Sequence, residues 1–444
     1  MTATTSPREE RLPTQRSAGA SRIAMLVGGV LGVVVLAILH LDRGRALWDF
    51  SEGVYALTSR VMLHGGDVYG HVVVAQPPGI FVFGAGALSV HDGIEWLRLC
   101  VGAWQLLAGV LCARIVWRLT GSRVATAITP AAALLMPWNL HEHGALTPEL
   151  IAPPLVLGAA LLAARPRPRA AGDGGALAAL AVAVKLPYAL PAVAIVLLAA
   201  NRRRAVAWAG ITLAVEALVA FVLFGDGLWR YIVVAQSHSG WQNAHDLLRV
   251  WAQEGWNLAG LVVAAAVALR FRHRLADPAL VRVTAGLAVA MLLTLLTNLK
   301  HGTALNIVAP IELSLLPLAV AGVVAAAREG GLRRIAIPAA ALALVTAQSI
   351  SLLASPQPTA APFLYPTSQP GTWQRGFSNA EVDTLERQAA ACPPGIPFGG
   401  GLSYVAFLAH RAMPDGQPDT YLTRDSPTLK ATAAAIDADK PTCP

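Results

Sequence analysis

Long apolar stretches joined by short connections, with arginine gathered in every second connection, constrain this chain more than any other feature. The stretches cover residues 23–41, 97–116, 124–138, 150–164, 206–224, 256–269, 281–299, 307–327 and 335–353. A further apolar region, 175–200, is broken by Lys185 and Pro187 and reads as two short helices that meet near the outer surface. A helix needs about 20 apolar residues to cross the hydrocarbon of a bilayer, because an unpaired backbone amide there is costly. The pattern therefore predicts an all-α polytopic membrane protein with about eleven transmembrane helices. Residues 80–90 are too short to span and read as a partly inserted surface helix.

The arginines predict the orientation. Arg8, Arg11, Arg16 and Arg22 precede the first stretch; later groups are Arg114, Arg118 and Arg123, then Arg165, Arg167 and Arg169, then Arg202, Arg203 and Arg204. Arg270, Arg272 and Arg274 follow, and last come Arg328, Arg333 and Arg334. Cations collect on the cytoplasmic side of membrane proteins. The N-terminus and these loops are accordingly expected inside, with the segments around Trp48, His141, Gly225, Lys300 and the C-terminus outside the plasma (inner) membrane. A codon habit does not explain the alternation. The net charge of +8 thus reflects topology, and no nucleic-acid partner is expected. At 55% hydrophobic and 14% charged, with a mean hydropathy of +0.54, the composition excludes an ordinary soluble protein.

Along the chain, residues 1–22 read as a cytoplasmic disordered tail and 23–354 as the membrane-embedded body, with an outer loop at 42–96. Residues 355–371, rich in Pro, Ser and Thr, read as a linker. Residues 372–444 form a small extracytoplasmic module. In it, 379–391 have helical spacing with a cap at Ser378 or Asn379, and 397–408 read as a strand or turn before a short helix. The first apolar stretch ends in His40, Leu41 and Asp42 without a small-residue cleavage site and reads as an uncleaved anchor. Cys100 and Cys112 fall in a membrane helix. Cys392 and Cys443 fall in the external module, an oxidising location where a disulfide is expected.

Ionisable residues in the outer loops are the candidates for chemistry. Asp49 and Glu52, three apart, share a face if the segment is helical, near the positive end of that helix. They can serve as a general base, hold a divalent cation through oxygen ligands, or simply cap the helix. Val54, Leu57 and Val61 make a stripe that suits a helix lying on the bilayer, with Arg60 off it, as a lipid-phosphate contact or a solvated cation. The second outer loop carries His141, Glu142, His143, Thr147 and Glu149. The two histidines at i, i+2 suit a metal only if the loop is extended, whereas an acid such as Glu149 at the mouth of a membrane helix is costly unless used or paired. Lys185 must either snorkel or find an anion. Asn298, Lys300, His301 and Asn306 lie between two outer helix ends, and Glu312 either pairs with Lys300 or lines a cavity. Trp229, Tyr231, Trp241, Trp251 and Trp256 suit a membrane-interface belt or sugar stacking.

The order of landmarks in the first outer loop resembles membrane-embedded glycosyltransferases of the GT-C class. Glu52, Gly53, Val54 and Tyr55 match the Asp-Glu-Gly-x-Tyr pattern common there, while Asp67, Val68, Tyr69, Pro77, Pro78 and Gly79 match its later landmarks. Ser51 stands where the first acid of that pattern lies, and Asp49 is near enough to replace it. The resemblance implies transfer of a monosaccharide from a polyprenyl-phosphate-sugar lipid to an acceptor hydroxyl on a cell-envelope glycan, lipid or protein. By the same resemblance, Glu52 first and Asp49 second are the expected base, and Glu149 matches an acid near the start of a later helix. Arg60, Lys185, Lys300 and His301 are the expected binding residues, and Lys185, Lys300 or a divalent metal (Mg or Mn, held by Asp49 and Glu52) would steady the departing phosphate. A transporter or flippase of a lipid-linked or anionic solute would also carry intramembrane Lys and Glu, although no inverted pair of broken helices is visible. A noncatalytic binder of lipid-linked sugar is the third reading.

Overall fold

In the computed structural model the apolar stretches become α1 (Ala18–Arg43), α4 (Ile94–Thr120), α5 (Arg123–Leu134), α8 (Pro153–Ala163), α9 (Pro168–Val184), α10 (Ala189–Leu198) and α11 (Arg202–Phe224). They continue with α13 (Ala244–Arg270), α14 (Pro278–Leu293), α15 (Val308–Glu329) and α16 (Leu332–Leu353). Short helices α2 (Phe50–Leu63), α3 (Gly79–Leu88), α6 (Pro137–Glu142), α7 (Pro148–Ile151) and α12 (Gly227–Trp229) lie in the loops, and α17 (Asn379–Ala390) and α18 (Ser403–Leu408) in the C-terminal module. The structure describes residues 18–47, 49–238, 240–300, 305–355, 377–393, 396–397, 403–419 and 427–438. Most of the expected N-terminal tail and linker, His301 and Cys443 lie outside the described residues.

Among the described residues seven helices are long and apolar enough to cross a membrane: α1, α4, α11, α13, α14 with its 3-10 extension to Leu299, α15 and α16. The chain is a multi-pass membrane protein. Helices α5, α8, α9 and α10 are shorter and connect the same two ends of the bundle. Helix boundaries follow local chemistry. Ser122, Asn201, Asn243 and Asp277 each cap the helix that follows by accepting a backbone N–H, and α4 stops at Gly121, whose φ of 64° admits the left-handed turn. Helix α15 is almost wholly enclosed, whereas α11 shows most of its surface outward. Gly322 lets α15 approach α13 closely, since a Cβ there would meet the Ala264 carbonyl at 2.1 Å.

The arginine-bearing connections converge on one end of the bundle. Arg118 donates to the Leu161 carbonyl (3.1 Å) and pairs with Asp277 (2.5 Å), Arg328 donates to the Thr120 carbonyl (2.5 Å), and Arg274 and Arg334 both meet Glu329. Several of these guanidinium groups satisfy carbonyls at helix C-termini, where backbone acceptors lack intrahelical partners.

The opposite end carries α2, α3, α6, α7 and the C-terminal module. One expectation changes here. Helix α2 does not lie on a bilayer surface: residues Glu52 to Ser59 are all buried, among α3, Arg98 of α4 and α18 of the C-terminal module. Gly53 permits this, as a Cβ at that position would stand 2.1 Å from the Tyr404 backbone nitrogen of α18. Leu47 and Phe377 exchange both backbone hydrogen bonds (2.9 and 2.7 Å), and the Tyr404 hydroxyl donates to the Arg45 carbonyl (2.7 Å). Helix α17 starts with a reciprocal capping box between Ser378 and Glu381, so the cap is Ser378. Residues 403–408 form the expected short helix, and residues 398–402, where a strand or turn was expected before it, lie outside the described residues. Cys392 is disulfide-bonded, while Cys100 and Cys112 are free.

Candidate active site

Asp49 begins the site. Its Oδ1 accepts the Ser51 N–H (2.5 Å) and so caps α2, and its Oδ2 lies 3.5 Å from Asn306 Nδ2. One turn on, Glu52 is fully buried and bound in a bidentate manner by Arg98, with Nε donating to Oε1 (2.8 Å) and Nη2 to Oε2 (2.5 Å). The Leu146 backbone N–H also donates to Glu52. Arg98 gives its remaining Nη1 to the Arg43 carbonyl (2.9 Å), so the pair ties the end of α1 to the starts of α2 and α4. Burial pushes the Glu52 carboxyl up from its ordinary value, while Arg98 and the Leu146 amide pull it down. Each Glu52 oxygen faces a guanidinium N–H, which fits a structural anchor better than the expected free base or metal ligand. Asp49 and Glu52 together do not fit a divalent cation, since their oxygens face Ser51, Asn306 and Arg98. Among the described residues no group of three or more His, Cys, Asp and Glu side chains is arranged to hold one.

The connection between α5 and α8 supplies further acids. Helix α6 starts at Pro137 without a side-chain cap of its own, and Glu312 from α15 fills that role by accepting the Trp138 N–H (3.0 Å) and the Asn139 N–H (3.4 Å). Glu312 therefore anchors α6, a third use beyond the two expected. The last turn of α6 carries His141, whose Nδ1 donates to Glu142 Oε1 (3.1 Å) and whose ring packs on Trp138 at 4.7 Å. Glu142 also lies within electrostatic reach of Asp49. Burial and the neighbouring Asp49, Glu149 and Glu52 push its carboxyl well up, whereas burial pushes His141 and His143 down to about 3. Both imidazoles are neutral near pH 7. A small polar cavity of about 10 Å³, room for one water, is lined by Arg43, Ala46, Arg98, His141, Glu142, His143 and Ala145.

Glu149 follows Pro148 in the first turn of α7, and Lys185 Nζ pairs with its Oε1. Lys185 sits where the chain leaves α9 in extended conformation (φ −158°, ψ 131°), and its amine reaches Glu149 at the start of α7. Glu149 Oε2 is buried with no hydrogen-bond partner. Tyr55, from α2, lies within electrostatic reach of Asp49 and Glu149, and burial together with these acids pushes its phenol well up.

Two expected binding residues are engaged elsewhere. Arg60 pairs with Asp92 (2.8 Å), donates to the Phe407 carbonyl (2.6 Å) and packs 3.6 Å from the Phe407 ring, so it serves docking of the C-terminal module. Lys300 donates to the Ser237 carbonyl (3.2 Å) and lies over the Trp241 ring at 4.5 Å, closing the 227–243 loop. Among the described residues of that connection, Asn306 reaches Asp49. Arg98 and the approach of Glu142 to Asp49 were missed by sequence reasoning. Arg98 left a signal, being an arginine in the first turns of an apolar helix and away from the arginine-rich connections.

The helix order, the buried acids at one end and the covering C-terminal module invite comparison with solved structures. Two crystal structures of ArnT from Cupriavidus metallidurans match, one bound to undecaprenyl phosphate and one in the apo state, both with a TM-score of 0.55 over 89% of this chain and 86% of that one. The chain has a GT-C fold. Sequence identity to these structures is 16% and 17%, so the likeness lies in architecture. No protein-family model matches the chain, and no curated protein matches it either. Within the GT-C fold of this chain, Asp49, Glu142, Glu149 and Lys185 come from α2, α6, α7 and the end of α9, four segments brought together only at the end opposite the arginine clusters.

Proposed function

We propose that the protein transfers a monosaccharide from a polyprenyl phosphate to an acceptor hydroxyl on a cell-envelope glycan, lipid or protein, at the extracytoplasmic face of the plasma membrane. The observation that carries this reading is the buried Glu149 to Lys185 pair, with Asp49 and Glu142 within electrostatic reach of each other nearby, at one end of a GT-C fold. The positive-inside arginine pattern favours that end as the outer one, with the N-terminus in the cytoplasm and the C-terminal module external.

Asp49 takes the acceptor proton as the acceptor oxygen attacks the anomeric carbon. The bond from that carbon to the phosphate oxygen breaks, and its electron pair leaves with the polyprenyl phosphate. The phosphate gains one negative charge, which Lys185 meets by exchanging Glu149 for the leaving group. Glu52 and Arg98 hold the end of α2 still while this happens, so that Asp49 keeps its aim. A single displacement of this kind inverts the anomeric centre. The reading is tested by reconstituting purified protein with polyprenyl-phosphate-linked sugars and following sugar transfer by mass spectrometry, with Asp49→Asn alongside. Movement of the lipid across the membrane without any transfer overturns it.

A further inference from the structure

Six arginines stand at one corner of the arginine-rich end without an acid to meet them. Arg165, Arg167 and Arg169 run from the α8–α9 turn into α9, and Arg202, Arg203 and Arg204 open α11. The two groups are neighbours. The Ala200 N–H donates to the Ala163 carbonyl (2.8 Å), and Gly175 of α9 lies so close to α11 that a Cβ there would collide with the Ala205 carbonyl. Elsewhere at this end Arg118 pairs with Asp277, and Arg274 and Arg334 pair with Glu329. Among the described residues none of the six forms an ion pair, and Asp173 is the single acid of residues 160–210. An open recess of about 600 Å³ lies here, lined by Arg202, Arg203, Val206 and Ala207. All four are exposed, with the cations at the end of the helix and the apolar side chains one turn further along it. The same helical face continues through Leu213 and Phe221, 41% and 64% exposed.

We infer that this recess binds an anionic phospholipid of the leaflet on the arginine-rich side, its phosphate met by Arg202 and Arg203 and an acyl chain laid along Val206 and Leu213. Charge complementarity selects the headgroup. Unpaired guanidinium groups match a phosphate in shape and charge, whereas a zwitterionic headgroup brings its own cation into a field of six. The order of side chains selects a lipid over a soluble anion, because only a lipid places a phosphate and an apolar chain in that sequence along one helix face. Trp208, 47% exposed, packs over Gly172 of α9, where a Cβ would come within 2.7 Å of its ring, and so holds an amphipathic ring at the depth of the headgroups.

The test titrates the full-length protein in neutral detergent with dioleoyl phosphatidylglycerol or dioleoyl phosphatidylcholine, read by native mass spectrometry, and needs no glycosyl transfer. The wild type should retain one phosphatidylglycerol at concentrations where phosphatidylcholine is lost. Joint Arg202→Ala and Arg203→Ala should weaken that binding roughly thirtyfold. Joint Arg202→Lys and Arg203→Lys, which keeps the charge, should weaken it less. Arg272→Ala with Arg333→Ala removes the same charge from other exposed positions at this end and should leave binding unchanged. Glycerol phosphate in excess should not displace the lipid. The inference is overturned by equal retention of the two lipids, by an equal loss in the Arg272 and Arg333 pair, or by displacement with glycerol phosphate. A lower melting temperature of the Arg202 and Arg203 alanine pair in lipid-free detergent would assign these arginines to folding and overturn it as well.

Discussion

The two ends of the helix bundle carry the same kinds of ion pair at different depths. At the arginine-rich end, Glu329 meets Arg274 and Arg334, and these cations are 43% and 53% exposed. At the other end, Glu52 and Arg98 are 0% and 3% exposed. Exposed pairs are screened by water and salt and contribute little, so those arginines act mainly as markers of sidedness and as partners for helix-end carbonyls. A buried pair has lost its hydration, and its attraction offsets that loss only with full hydrogen bonding. Glu52 meets that demand with Arg98 and the Leu146 amide, which is why it serves as a joint between helices.

Several measurements break or sharpen this contrast. The largest expected effect is on chemistry: Asp49→Asn should lower sugar transfer roughly a hundred- to ten-thousand-fold. Its melting temperature should hold, because Asn caps a helix as well as Asp does. Equal activity of the variant and the wild type would remove Asp49 from the base role. Next comes Arg98→Leu, which strands a buried carboxylate and should cost about 3–5 kcal/mol of stability. Joint replacement of Glu52 and Arg98 by apolar residues should cost less than either single change, as read from melting curves in detergent. Were the double variant the least stable of the three, the joint would owe its strength to more than this pair.

Acid sensitivity is a smaller effect of the same burial. The folded protein holds His141 and His143 near 3, below the ordinary value of 6.5, so the unfolded chain takes up protons first. Their contribution to stability is therefore present above about pH 6.5 and is lost as pH falls toward 3, by up to about 1.4 kcal/mol per pH unit for each group. The raised Glu52 and Glu142 carboxyls act in the opposite sense. His143→Gln should consequently lose less melting temperature between pH 7 and pH 5 than the wild type does, and identical losses would refute the assignment. The smallest effect belongs to the exposed end, where Glu329→Gln should leave the melting temperature almost unchanged and insensitive to salt. A large drop there would erase the distinction between the ends.

Much of the architecture was legible in the sequence because a bilayer leaves few options. Apolar length marked most of the helices, and the caps that fix where several of them start, Ser122, Asn201, Asn243 and Asp277, bond only to backbone a few residues away. The site was legible only in part. Glu149 and Lys185 stood out as ionisable groups near helix ends, and they are indeed paired. Arg60 and Lys300 stood out equally and are engaged elsewhere, by Asp92 and Phe407 and by the 227–243 loop. Nothing local separates these cases, since each partner lies dozens to hundreds of residues away.

The chain by itself determined that it crosses a membrane many times and which connections share a side, because hydrocarbon demands apolar length and arginine resists translocation. Only the folded arrangement decided that Glu52 belongs to Arg98, that Glu312 caps α6, and that Gly53 yields its space to Tyr404. Those outcomes depend on which side chains meet in three dimensions, where a carboxylate is claimed by the nearest buried donor regardless of its distance in sequence.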